Sequence, residues 1–313
     1  MKPTILITDT LFISPKYVKK LEAAGFAVER NPNGQLPEAE LIKAIKGKVG
    51  YIIGGTESVT DAVIKAADQL KIIAFTGTDA QSFIPAYASA TEKGIAVTNT
   101  PGTTTFPVAE FTLTLMLMML RRTLELGGPG QESFKTTQSL ADVHIGLVGL
   151  GRIGTEVARM LTTLGAAKVS YWNRHRKLET EKNLGIAYLP LKELFAECHV
   201  ISNHIASTAG ELITADLLNA TKTDVLFINT GAGNTYNLDA LYNLLHAKKA
   251  RAAFDIHGVT DERYKALPLA DWYVTNGNTG FNTQQMLDST SAMATQSVIN
   301  VITTGDDTHI INK

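Results

Sequence analysis

"GLVGLGRIG", Gly146–Gly154, is the stretch whose reading decides the fold. A short apolar run leads into Gly149, and Gly149, Gly151 and Gly154 stand in G-x-G-x-x-G spacing. Ile153, Val157, Leu161 and Leu164 then recur at helical spacing, which places the glycines between a strand and a helix. In that context a weak motif becomes a dinucleotide-binding fingerprint. The first glycine allows a tight turn, the second lets the backbone approach a pyrophosphate, and the third lets helix and strand pack closely. The helix N-terminus adds N–H groups and a positive dipole for the phosphates. Gly149, Gly151, Arg152, Ile153 and Gly154 are therefore the candidate cofactor turn, against the plainer reading of glycines that serve only the turn.

The next strand, "KVSYW", runs into Asn173, Arg174, His175 and Arg176. About 20 residues after the last glycine, an NAD-preferring site places a carboxylate on the ribose hydroxyls. Asn173 takes that place. It is neutral, and Arg174 and Arg176 offer positive forks to a 2′-phosphate. The residues thus predict NADP(H) ahead of NAD(H), with a solvated basic turn as the alternative.

Outward from this turn, short β-branched runs alternate with helix-period segments, the pattern of a mostly parallel α/β protein. "TILITD" (Thr4–Asp9) precedes a helix with Ser14 as N-cap, Pro15 at its first position and Gly25 past its end. "GYIIGG" and "KIIAFTG" follow as strands, with a helix near Thr60–Ala67 between them. A Met-rich helix is predicted over about Pro107–Leu126, ending at "GGPGQ". It reads either as a crossover packed on two domains or a second subunit, or as a plain core helix. After "HIGLVG" and "KVSYW" come strands at "HVISNH", "DVLFINT", "RAAFDI" and "WYVTNG", with helices near Leu191–Ala196, Ala215–Ala220 and Leu238–Ala247. The tail from about Phe281 reads as helical and is expected to fold back onto the first domain.

A chain of 313 residues is long enough for two domains with substantial cores. It is 44% hydrophobic and 19% charged, with a net charge of −1 and no block of like charge. That balance points away from nucleic acid and membrane surfaces. A single cysteine, Cys198, excludes an internal disulfide framework and fits a reducing cytosol. The longest apolar cluster, Leu113–Leu120, is short of the roughly 18 residues of a membrane span. "MKPTILITDT" reads as a first strand rather than a signal peptide, so the expected location is the cytoplasm. No metal site is expected.

"DVLFINTGAGN", Asp224–Asn234, raises the functional question. A buried strand ends in Asn-Thr and then in Gly231-Ala232-Gly233-Asn234, at the edge where open α/β sheets bind ligands. The turn carries no charged or nucleophilic group. With "LKIIAFTGTDAQSFI", "GIAVTNTPGTTTFPVAEFTLTLML", "GLVGLGRIG" and "AAFDI", the chain resembles the D-isomer-specific 2-hydroxyacid dehydrogenase family over nearly its whole length. The resemblance implies two doubly wound parallel-sheet domains. A Rossmann cofactor domain (102–281) would be inserted into a flavodoxin-like substrate domain (1–101 and 282–313). It also implies a homodimer, with the long helix in the interface.

The family's chemistry uses an Arg that clamps the substrate carboxylate, a His that protonates the carbonyl oxygen and a Glu that orients the His. Carried onto this sequence, the three positions fall on Ala232, Asn278 and Thr260, with Asp261 and Glu262 beside the last. The resemblance makes Asp255 the nicotinamide-side carboxylate, places His204 in the cofactor pocket and puts Thr230 on the cofactor side. Ordinary 2-hydroxyacid dehydrogenase chemistry is not expected from such a set. His257 and Tyr236 are the nearest alternative proton donors, each with packing as the ordinary explanation. The leading expectation is an NADP(H)-dependent oxidoreductase shifted to an unidentified small-molecule substrate. A cofactor-binding pseudoenzyme, with Phe75 or Phe281 filling the pocket, is the second reading. Weak glyoxylate or hydroxypyruvate reduction is the third.

Overall fold

The computed structural model describes residues 2–8, 13–31, 35–78, 80–127, 135–256, 259–277 and 279–313. The chain divides into two compact units, Met1–Thr104 with Thr283–Lys313, and Thr105–Asn282.

The first unit runs β1 (Thr4–Thr8), α1 (Pro15–Ala23), β2 (Ala27–Asn31), α2 (Glu38–Ala44), β3 (Lys48–Ile53), α3 (Asp61–Ala66), β4 (Ile72–Phe75), α4 (Ala80–Phe83), α5 (Tyr87–Glu92) and β5 (Ala96–Thr98). Its strands pair in parallel in the order β2-β1-β3-β4-β5, a doubly wound, flavodoxin-like sheet. Side chains alternate across a strand, so each central strand feeds two cores. Leu6, Tyr51, Ile53 and Ile73 face Leu41 of α2 and Val63 and Ile64 of α3. Ile5, Ile7, Ile52 and Ile72 face the opposite layer, with Leu21 of α1. As expected, Ser14 and Pro15 open α1, and Gly25 turns the chain after it at φ +98°. Edge strand β2, only partly buried, lacks the apolar run that announces its neighbours in sequence.

The second unit begins with α6 (Thr105–Leu120) and α7 (Thr123–Leu126). It continues with β6 (His144–Val148), α8 (Arg152–Thr163), β7 (Lys168–Trp172), α9 (Leu178–Leu184), β8 (Ala187–Tyr188), α10 (Leu191–Glu197), β9 (Val200–Asn203), α11 (Ala215–Asn219), β10 (Val225–Asn229), α12 (Leu238–His246), β11 (Ala250–Asp255), α13 (Glu262–Lys265) and β12 (Trp272–Thr275). Seven parallel strands stand in the order β12-β11-β10-β9-β6-β7-β8. One face packs Ile145, Leu147 and Ile228 against α6 and α8. The other packs Ile201, Phe227 and Phe254 against Leu194, Leu218 and Leu241. The last helix, α14 (Gln284–Thr304), belongs to the first unit and covers β3 and β4 through Ala294, Val298 and Val301.

Two helix expectations are corrected. The Met-rich helix stops at Leu120, because Arg122 adopts a left-handed φ of 51°, and Thr123–Leu126 is a separate short helix. Leu164, the last of the apolar residues counted into the period of α8, lies just past the helix as its C-cap and is 58% exposed. Within its unit α6 buries most of its length, leaving Phe106, Glu110, Thr114 and Leu117 as one exposed stripe. Among the described residues no helix is long and apolar enough to cross a membrane.

Candidate functional site

The glycine turn follows β6 directly. Gly149 has φ +97° and donates its N–H to Trp172 O at 2.8 Å. A Cβ on Gly154 would lie 2.1 Å from Gly149 O, so the helix start can sit against the turn only with glycine there. A Cβ on Gly151 would meet nothing within 4 Å. The helical ladder begins at Thr155 N–H to Gly151 O (2.9 Å), and no side chain caps α8. The N–H groups of Arg152, Ile153 and Gly154 therefore lack helical acceptors, and the space beside Gly151 is open, a cradle that fits a dinucleotide pyrophosphate. Arg152 is exposed at its rim, and half-buried Ile153 packs inward on the core.

The end of β7 is tied to this turn. Asn173 Oδ1 accepts the Leu150 N–H at 3.1 Å, and its Nδ2 donates to His175 O at 2.9 Å. Arg176 lies two-pronged on Glu181, both contacts at 2.8 Å, and over the Tyr188 ring. Arg176 and the Tyr171 hydroxyl hold the Glu181 carboxyl down at about 2. Arg174 is exposed and makes no such pair among the described residues.

Beneath the turn sits His204. Its Nε2 meets Ser202 Oγ at 2.9 Å, its Nδ1 is buried without a partner among the described residues, and burial lowers its pKa to about 4. The orphaned ring nitrogen leaves a neutral imidazole with one unused polar group beside the cofactor cradle.

The bland turn after β10 is held by residues that sequence reading did not single out. Asn203 Nδ2 donates to Asn229 Oδ1 (3.0 Å) and to Thr235 Oγ1 (2.9 Å). Asn229 Oδ1 also accepts the Gly231 N–H at 2.9 Å, and Thr235 Oγ1 donates to Ala232 O at 2.6 Å. The signal was present as an asparagine closing each of two apolar strands. Thr230 Oγ1 lies 2.7 Å from Thr112 Oγ1 on α6. Ala232, half-buried, presents a methyl group.

At the end of β11 both oxygens of Asp255 are in use. Asp255 accepts from the Thr275 hydroxyl, from Thr279 N–H at 3.3 Å and from Gly280 N–H at 2.8 Å. It thereby shapes the loop after β12. Thr260 is exposed. Asp261 caps α13 and is bound to Arg263, and Glu262 pairs with Lys265 at 2.6 Å. Tyr236, one of the two speculative donors, is corrected. It is 3% exposed between Phe227 and Phe254, its hydroxyl has no partner among the described residues, and burial pushes its pKa far up, so it is a core aromatic. His257 and Asn278 lie outside the described residues. Phe75 stacks on Phe83 in the first unit, with ring centroids 4.9 Å apart, and Phe281 is half-buried.

Residues 113–271 match the family model "D-isomer specific 2-hydroxyacid dehydrogenase, NAD binding domain". A hydroxypyruvate reductase of Thermotoga maritima is 31% identical over 261 residues, covering 80% of this chain and 83% of that protein. The human D-3-phosphoglycerate dehydrogenase is 30% identical over 273 residues, 84% of this chain. This chain spans only 50% of that longer relative. The solved structure of a D-2-hydroxyisocaproate dehydrogenase superposes with a TM-score of 0.85 at 18% identity, covering 99% of this chain and 100% of the other, which shows a shared fold. With the parallel sheets, the glycine cradle and these likenesses in hand, the chain belongs to the D-isomer-specific 2-hydroxyacid dehydrogenase family and carries that family's nicotinamide-dinucleotide-binding domain.

Proposed function

We propose that the chain is an NADP(H)-dependent oxidoreductase that has moved away from ordinary 2-hydroxy and 2-oxo acids. The observation that carries this reading is the turn Gly231–Asn234. Ala232 stands where the resemblance calls for the carboxylate-clamping arginine, and Asn229 and Thr235 pin its backbone. Asp261 and Glu262 are each taken by a neighbouring cation, which weighs against either as the partner of a catalytic histidine. An asparagine at 278 donates a hydrogen bond but transfers no proton. Losing a general acid alone costs about 10²–10⁴-fold.

A bound nicotinamide supplies a hydride; the acceptor must then do without a carboxylate clamp and without a strong acid. An iminium, which already carries its proton and charge, meets both conditions, and an activated aldehyde meets the first. Cofactor preference rests on Arg174, which is exposed and, among the described residues, unpaired beside the neutral Asn173. Arg176 is less available, being held by Glu181. The exposed Phe106 and Leu117 on α6 support a homodimer through that stripe.

The test is NADPH oxidation at high protein concentration against 2-oxo acids, aldehydes and imines. The variant Ala232→Arg, Thr260→Glu, Asn278→His runs beside the natural protein. Turnover of imines or aldehydes with silence on 2-oxo acids supports the reading, the more so if the variant gains 2-oxo acid activity. An ordinary rate on glyoxylate or hydroxypyruvate by the natural protein overturns it. Tight NADPH binding with no turnover of any class identifies a pseudoenzyme acting as sensor or scaffold.

A further inference from the structure

Among the described residues three that are not glycine take left-handed backbone: Arg122 (φ 51°), Asp224 (φ 63°) and Lys248 (φ 54°). All three line one open cleft of about 530 Å³ in the second unit. They come from three separate chain reversals, after α6, before β10 and after α12. That is the N-terminal edge of the sheet, opposite the glycine turn. Left-handed backbone crowds a Cβ, and glycine is the usual relief, above all just past a helix. Here the chain holds charged side chains at all three points. Strain gathered at one place is a pointer to use.

Arg251 is the second observation. It is 5% exposed and lines the same cleft. Its Nε donates to Asp224 Oδ1 at 3.2 Å and its Nη1 to Met119 O at 2.6 Å, at the end of α6. Its Nη2 makes no hydrogen bond among the described residues. The Lys248 ammonium has no partner among them either. Arg122 and Lys135 share Glu125. The cleft therefore holds four cations against three carboxylates, the third being Asp271. Among the described residues two donors stay unspent, the Lys248 ammonium and Nη2 of the otherwise buried Arg251. Asp271, with no cation of its own among the described residues, suits an anion that still carries a proton to donate.

We propose that this cleft binds a phosphate group, free or carried on a small metabolite, at a place separate from the dinucleotide turn. Lys248 and Arg251 supply charge-assisted hydrogen bonds, and Asp271 accepts from a protonated phosphoryl oxygen. The same carboxylate repels sulfate, which is fully ionised at neutral pH.

The test is calorimetric titration of the NADPH-saturated protein with inorganic phosphate, glycerol phosphate and sulfate at constant ionic strength. Saturating NADPH removes the glycine turn as a competing phosphate site. The variants Lys248→Gly and Arg122→Gly keep the left-handed backbone while deleting a charge, so both should fold. The expected result is saturable phosphate binding, tighter than sulfate and weakened about tenfold by Lys248→Gly, with NADPH affinity unchanged. Tighter glycerol phosphate than phosphate identifies a phosphorylated metabolite as the source, and equal affinity identifies free phosphate. Absence of saturable phosphate binding, or equal binding by Lys248→Gly, overturns the proposal. Should NADPH itself not bind, the same comparison on the cofactor-free protein separates failure of the cofactor reading from failure of this one.

Discussion

Asn203 and Asn229 are register partners at the C-terminal ends of β9 and β10, and Asn203 donates its side-chain amide to Asn229 Oδ1 at 3.0 Å. Both are fully buried. Through them the strand ends lock the turn that carries Ala232. Parallel strands bond evenly along their length, but their ends have backbone groups that must find partners elsewhere. Each asparagine supplies one oxygen and one amide to a neighbouring loop.

Replacing Asn229 by alanine leaves the Gly231 N–H without its acceptor and Asn203 Nδ2 with Thr235 alone. A buried donor left unsatisfied costs about 1–3 kcal/mol. Urea unfolding of Asn229→Ala should show a loss of that size. A loss within experimental error would mean that water replaces the amide and that the lock is not structural.

Gly151 and Gly154 should separate binding from stability. Gly154→Ala brings a Cβ to 2.1 Å from Gly149 O, so both thermal stability and NADPH affinity should fall. Gly151→Ala meets no protein atom within 4 Å. Its stability cost should be about 1 kcal/mol or less, that of alanine at an N-cap, while the methyl group intrudes where a pyrophosphate would lie. Fluorescence titration with NADPH, run beside melting curves, reads both effects. Unimpaired NADPH binding by Gly151→Ala would place the pyrophosphate elsewhere.

Arg174 and Arg176 differ in freedom. Arg174→Ala should weaken NADPH by about tenfold, the worth of a hydrogen bond to a charged group, and leave NADH unchanged. Arg176→Ala should do less, because its guanidinium is committed to Glu181. Measured Kd ratios for the two cofactors decide. A larger loss of NADPH selectivity from Arg176→Ala than from Arg174→Ala would show that the Glu181 pair opens on binding.

Stability should decline on mild acidification. His144 and His204 both have pKa values lowered from 6.5 to about 4, chiefly by burial. Between those values the unfolded chain binds more protons than the folded one. Their contribution is therefore complete above pH 6.5 and is lost as pH falls toward about 4. Down to about pH 5 ordinary carboxylates stay largely ionised, so the upper part of the slope belongs to imidazoles. The urea midpoint should fall across that range, and the double variant His144→Gln, His204→Gln should flatten it. A midpoint unchanged down to pH 5 in the natural protein would show that both rings accept protons without cost.

The sequence by itself determined the family, the parallel α/β class and the cofactor turn. Those features are written locally: apolar runs of strand length, helical periodicity and glycines at fixed spacing, each readable within a dozen residues. It also named Ala232 and Thr260, since a residue type absent from a motif is visible without coordinates. Only the tertiary structure decided which polar residues are free to act. Tyr236 looked available and is core, because Phe227 and Phe254 close around it from other strands. Arg176 looked like Arg174, but Glu181 reaches it across a turn. Arg122, Asp224 and Lys248 are unremarkable as letters, with 126 positions from the first to the last, and share one cleft only because parallel strands bring every loop of one edge together. Pairing and burial are long-range properties, and a single sequence carries no record of which distant side chain will claim a given charge.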